Sequence, residues 1–203
     1  VHVGVNSGIE NAAQLKDVPF AISRPNSGSH LAAITYARSK GRVLGDKDFE
    51  IVNDLKGALE RLAKPEPIAF LWEKFTTKPH VDAGVLRRVD ECRATWPSFM
   101  LVARGSILEA HPQEIGRLLK VIRDQAAGLM TKKTAPAMIA HRYGMTLEDA
   151  QEWFSAVHWN TGARADASML KDVVNTLSEA VIPSPSTATD DLATRLLWQP
   201  EGR

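Results

Sequence analysis

Apolar positions along this chain fall into two periods, and the period changes from segment to segment. Val1 to Val5 is a short β-branched run, and Phe20 to Ser23 and Phe49 to Val52 read as strands. Ile68 to Trp72 is apolar throughout, as a strand buried on both faces should be. His30 to Lys40 reads as a helix with Leu31, Ile34 and Thr35 on one face, and Gly41 fits as its stop. Asn53 or Asp54 can cap the next helix, in which Leu55, Ala58, Leu59 and Leu62 recur at helical spacing until Pro65 ends it. Phe99 to Ala103 is a further predicted strand. Alternation of this kind predicts an α/β fold with a mainly parallel sheet and right-handed crossovers.

The second half changes character. From His111 to Pro183 nearly everything reads helical. Ile115, Leu118, Leu119, Ile122, Ala126 and Leu129 form one apolar stripe. Thr146 caps a helix with Leu147, Ala150, Trp153, Phe154 and Val157 on one face, and Met169, Leu170, Val173, Val174, Leu177 and Val181 form another stripe. Amphipathic helices need a surface to pack on, and one predicted strand, Phe99 to Ala103, cannot cover several helix faces. Either the helices pack on one another or the rest of their sheet lies outside this chain. Pro183 to Asp190 is linker-like, and Asp191 to Trp198 could form a short terminal helix. The pattern divides the chain into an α/β domain over 1–93, a mostly helical part over 94–183 and a tail over 184–203.

With 203 residues, 44% of them apolar, the chain can build one or two cores. Its 25 basic and 24 acidic residues balance to +1 with no long basic run, which argues against nucleic acid or an anionic membrane as the main partner. The single cysteine, Cys92, excludes an internal disulfide and a multi-cysteine metal site. His2, His30, His80, His111, His141 and His158 lack metal-ligand spacing, and there is no Walker A or GxGxxG sequence. No metal, no cofactor and no catalytic residue is therefore assigned. No apolar run reaches the ~20 residues that span a bilayer, and no signal peptide is visible. The chain starts at Val1 rather than Met, so its beginning is expected to be missing.

Two segments could carry binding chemistry. In Ile22-Ser-Arg-Pro-Asn-Ser-Gly-Ser-His30 a strand runs into a hydroxyl-rich turn and then a helix. Free backbone N–H groups, the helix dipole and the hydroxyls of Ser27 and Ser29, with Gly28 between them and His30 after them, favour an anion or polar head. Simple helix capping by Ser27 or Ser29 explains the same residues. In Phe70-Leu-Trp-Glu-Lys-Phe-Thr-Thr77, Trp72 offers a stacking face, Glu73 an acceptor, and Lys74, Thr76 and Thr77 donors. Against this, Trp72 and Phe75 could be core aromatics and Glu73–Lys74 a solvated pair. Both turns follow predicted strands. If those strands run parallel, both turns lie on one sheet edge, where open α/β sheets bind ligands.

The runs FAISRPNSGSHLAAITYARSKG, FEIVNDLKGALERL, FLWEKFTTKPHVDAG and TWPSFMLVARGSILEAHP closely resemble type II periplasmic-binding-protein-like proteins. The relatives are the nitrate, taurine and sulfonate binders and the thiamine-pyrimidine-precursor group, and within them a subgroup carrying SGSH and WEKFTTKP. The resemblance covers residues 1 to 182. It implies two lobes with a ligand in the cleft: one nearly complete lobe up to Arg93, then the C-terminal helical part of the other. Ligand contacts carry over to Ser27, Gly28, Ser29, Trp72 and Glu73. The first half of the family's first lobe has no counterpart, so another segment or a second copy of the chain is expected to complete the fold.

The function implied is a solute-binding protein, not an enzyme, that captures a small polar or anionic solute by lobe closure, with an ABC transporter permease as a possible partner. The alternatives are an enzyme like the thiamine-pyrimidine synthases, against which the lone Cys92 argues, and a regulatory ligand-sensing module. The subgroup resembled points to the cytoplasm, with the periplasm as the alternative.

Overall fold

The apolar run Ile68–Leu71 alternates between two cores, and that alternation explains why it lacks polar positions. Ala69 and Leu71 join Val3, Phe20, Ala33, Tyr36 and Ala37 on one side, while Ile68 and Phe70 join Ala21, Ala58, Leu62 and Leu86 on the other. A strand with both faces buried cannot place a polar side chain on either without a partner. Phe20 and Phe70, each 1% exposed or less, anchor the two sides. Burying each such side chain contributes roughly 1.5–3 kcal/mol.

The computed structural model describes residues 1–93, 99–160, 167–179 and 197–198. The chain divides into two units, Val1–Thr95 with Glu179–Ile182, and Trp96–Ser178 with Pro183–Arg203. The first unit carries β1 (His2–Gly4), β2 (Phe20–Ile22), α1 (Gly28–Ser39), β3 (Phe49–Ile51), α2 (Leu55–Leu62), β4 (Ala69–Phe70), α3 (Lys74–Asp82) and β5 (Leu86–Arg88). The strands form one sheet in the order β3-β2-β4-β1-β5. β2 runs parallel to β3, with Phe20 opposite Phe49, and parallel to β4, with Phe20 opposite Ala69.

The sheet is mixed rather than mainly parallel. β1 lies antiparallel between β4 and β5, with His2 opposite both Phe70 and Arg88. A three-residue apolar run does not encode its own direction; the connections and the backbone ladder decide it. β5 was not foreseen because it carries Arg87 and Arg88. Arg87 stays half-buried by donating from Nη1 to the Ile9 carbonyl at 2.6 Å.

Backbone approaches backbone where β1 meets α2. A Cβ added at Gly4 would stand 1.8 Å from the Leu62 carbonyl oxygen. His2 sits beside it, 1% exposed, with Nε2 2.9 Å from the Thr77 hydroxyl on α3. Burial holds the His2 imidazole well below its ordinary range, at about 4.

The second unit holds α4 (Gly105–Ala110), α5 (Pro112–Thr131), α6 (Ala135–Tyr143), α7 (Leu147–Ala156) and α8 (Ala167–Glu179). α6 and α7 form a helical hairpin around Ile139, Ala140 and Ala150. Gly144, at φ +65°, closes α6, and the Thr146 hydroxyl caps α7 by accepting from the Asp149 N–H at 3.1 Å. The strand expected at Phe99 to Ala103 is absent. Its residues are irregular and exposed, Phe99 by 94% and Val102 by 88%, because the described residues supply no strand beside it. α5 buries none of its residues, and Leu118 and Val121 remain more than half exposed. The linker-like segment from Pro183 and the terminal helix expected to begin at Asp191 lie outside the described residues, Leu197 and Trp198 excepted.

Two outcomes are expected. Gly4→Ala forces two backbones apart and should cost about 3 kcal/mol or more in urea unfolding, against a loss of under about 1 kcal/mol for Gly28→Ala, whose Cβ would meet nothing. Because folding depresses the His2 pKa from 6.5 to about 4, the unfolded chain binds the extra proton between those values. Stability from this residue is complete above pH 6.5 and falls, by up to roughly 3 kcal/mol, as pH drops toward 4. Urea midpoints across this range should lose that slope in His2→Gln.

Candidate functional site

Parallel pairing sends the three connections after β2, β3 and β4 to the same sheet edge, so the N-termini of α1, α2 and α3 gather there. The order β3-β2-β4 puts the Ser27 turn in the middle. Each helix begins on a side-chain cap. The Ser27 hydroxyl accepts from the His30 N–H at 3.2 Å, the Asp54 carboxylate from the Gly57 N–H at 2.9 Å, and the Glu73 carboxylate from the Thr76 N–H at 2.7 Å. Asn26 and Asn53 precede the first two caps in the left-handed region, at φ +60° and +67°. Asparagine tolerates that conformation, which turns the chain sharply out of each strand.

The central turn is a network of hydroxyls. Ser29 Oγ accepts from the Ser23 N–H at 2.9 Å and lies 3.0 Å from Ser27 Oγ and 3.2 Å from Ser23 Oγ. Ser23, Ser27 and Ser29 are all buried. The capping explanation therefore holds for Ser27, and Ser29 ties the helix start to the end of β2. Gly28 stays exposed, with open space where a side chain would stand. The first-turn N–H groups of Gly28 and Ser29 find no acceptor among the described residues. Such groups at a helix start have no intrahelical partner and suit an anion.

His30 is half-buried, and its Nδ1 accepts from the Asn26 N–H at 3.0 Å. An N–H can only donate, so the ring proton sits on Nε2. Burial pushes the imidazole pKa down, the nearby Asp46 charge opposing it. The ring meets Phe49 edge-on at 4.5 Å, which links the central turn to β3.

On the β4 side, Trp72 is half-buried and stacks on Phe70 at 5.2 Å, with the rings 18° from parallel. It thus belongs to the rim of one core and keeps part of its surface free. Glu73 is exposed, but its carboxylate is engaged by the N–H and hydroxyl of Thr76. Lys74 Nζ lies 3.1 Å from the Glu91 carboxylate and 5.5 Å from the centre of the Phe75 ring. Thr77 is not a ligand donor: it is fully buried and bonds His2 and the carbonyls of Glu73 and Lys74. The helix that places it inside was unforeseen, because Pro79 and two threonines weaken the helical pattern.

Ser27, Gly28, Ser29 and His30 thus share one edge with Trp72, Glu73 and Lys74. Sequence reasoning treated Asn53 and Asp54 only as a cap and missed that their turn joins the same edge; the Asn at the exit of β3 was the available signal. Cys92 is half-buried, and burial raises its thiol pKa, which keeps it protonated. No grouping of three or more metal-ligating side chains occurs, and no helix is long and apolar enough to cross a membrane, among the described residues.

Two serines two positions apart should differ in cost. Ser27→Ala loses a cap and should destabilise by about 1 kcal/mol. Ser29→Ala strands the buried Ser23 N–H and should cost more, about 1–3 kcal/mol. Parallel thermal and urea melts decide this, and equal losses would remove Ser29's role as the tie to β2.

Residues 1–92 match the family model described as Ca3427-like PBP. The Candida albicans CA3427 gene product, described as exhibiting the generic periplasmic binding protein structural fold, superposes with a TM-score of 0.80 at 20% sequence identity. The match covers 98% of this chain and 67% of that one, so the chain spans about two thirds of the length of that relative. No curated protein matches the sequence. Residues 1–92 are therefore similar to the Ca3427-like PBP family, and the chain has the generic periplasmic binding protein structural fold.

Proposed function

We propose that the first unit carries half of the grip on a small polar or anionic solute, held where β2, β3 and β4 end. The observation that carries this reading is the parallel pairing of β2 with β4, which brings the open N–H groups of Gly28 and Ser29 to the same edge as the half-buried Trp72. Amides complement negative charge or an oxygen-rich head, and the free part of the indole complements a flat or apolar body. Glu73 and Lys74 act at this site mainly by fixing the start of α3, since each already has a partner.

The proposed role is capture and release without chemistry. A Cys92 thiol that burial keeps protonated supports binding over cysteine-based catalysis. Action in the cytoplasm belongs to the same proposal and follows the subgroup that the motifs resemble; the alternative is the periplasm, where delivery to an ABC-type permease would take place. The proposal also includes an additional packing partner for the second unit. The α5 stripe, none of whose residues is fully buried, and the exposed Phe99–Val102 run support this, as does the third of the CA3427 fold that has no counterpart here. Exposed apolar surface of this extent marks a face that is normally covered.

Thermal-shift screening against sulfonates, nitrate, pyrimidines and short carboxylates tests the reading. A hit should raise Tm without turnover. Trp72→Ala should lower the unliganded Tm through loss of the Phe70 stack, yet remain folded and lose the ligand-induced shift. Normal binding by that variant would remove Trp72 from the site, and product formation would overturn the binding role.

A further inference from the structure

A cavity lies at the opposite end of α1 from Ser27, a helix length of roughly 18 Å away. Its volume is about 270 Å³. One wall is the helical turn Ala12–Leu15 with Lys16 after it, and the other is the end of α1, Tyr36 to Lys40. Phe20 and Arg42 close the back. The space exists because Ala12, Ala13 and Ala37 are small.

The walls are fixed independently of any ligand. Asn11 and Gln14 form a reciprocal cap on the turn. Arg42 lies over the Phe20 ring and donates through Nη1 to the carbonyls of Leu15 and Val18, at 3.3 and 2.7 Å, while its Nη2 pairs with Asp48 at 2.8 Å. Tyr36 donates to Asp90 at 2.9 Å, and Lys40 lies 3.0 Å from the same carboxylate. A site so held loses little entropy when occupied.

The charge of the lining is one-sided. Lys16, Lys40 and Arg42 contribute three cations and no carboxylate lines the cavity. Asp48 and Asp90 match Arg42 and Lys40, which leaves the exposed Lys16 without an ion pair among the described residues. A volume just below the ~300–1,000 Å³ of ordinary ligand sites admits only a small molecule. We propose that this cavity binds a small monoanion with a compact apolar body, a carboxylate on an aromatic or branched group. Its apolar part would lie against Ala13, Ala37 and the Phe20 side, with the carboxylate at Lys16.

Sodium benzoate is the probe, titrated into the 203-residue chain to about 10 mM while backbone amides are followed by NMR. Saturable shifts are expected at Ala12, Ala13, Lys16 and Ala37. Benzyl alcohol, uncharged, should bind at least about fivefold more weakly, as should benzoate to Lys16→Glu, an exposed change that leaves the walls intact. Ala13→Phe, checked for an unchanged spectrum elsewhere, should abolish binding by filling the space. Trp72→Ala should bind benzoate as the parent does, which separates this site from the sheet-edge reading. Absence of saturable shifts, equal binding of benzyl alcohol, or unaltered benzoate binding by Ala13→Phe would each overturn the proposal.

Discussion

The parallel ladder between β2 and β4 is the constraint on which the rest of the first unit depends. Phe20 opposite Ala69 and Ala21 opposite Phe70 set the register, and every second side chain then falls to one core or the other. A slip of one residue would exchange the two sets and send Phe70 to the α1 side. The same pairing fixes direction. Strands that run together end together, so the turns after them meet on one edge regardless of their separation along the chain. Ser27 and Trp72 lie 45 positions apart in sequence, and one hydrogen-bonded ladder removes that distance.

The edge itself shows how stability and binding share residues. Ser27, Asp54 and Glu73 are caps first: each satisfies a backbone N–H that would otherwise be orphaned. Capping reaches only one or two donors of each helix start, and the remaining first-turn groups stay open. Ser29 adds rigidity by holding β2 to α1 across the turn. A turn braced in this way presents its open amides in one arrangement, which favours a ligand of matching shape over general attraction for anions.

The second unit presents the opposite situation. Its helices form as the sequence directs, yet no residue of α5 is fully buried, and Phe99 to Val102 stands in the open without a ladder among the described residues. Helix formation is local and needs only spacing and caps, as the Thr146 and Gly144 ends of the α6–α7 hairpin illustrate. A strand exists only through its neighbours, so an apolar run can have the right composition and still not be one.

What the sequence determined by itself was much of what propagates locally: α1, α2, α5, α7 and α8 from their period, the Thr146 cap, caps narrowed to Ser27 or Ser29 and to Asn53 or Asp54, and the doubly buried character of the run from Ile68, which ends at Leu71 rather than Trp72. It also determined the resemblance to type II periplasmic-binding-protein-like proteins, carried by motifs several residues long. Only tertiary structure decided the reversal of β1 and the recruitment of the arginine-bearing β5. Tertiary structure alone also decided the inward turn of Thr77 toward His2 and the arrival of the Asn53–Asp54 turn beside the two sites expected. Each of these turns on a hydrogen bond or packing contact between residues far apart in the chain, and such contacts leave no periodic trace in the segments that make them.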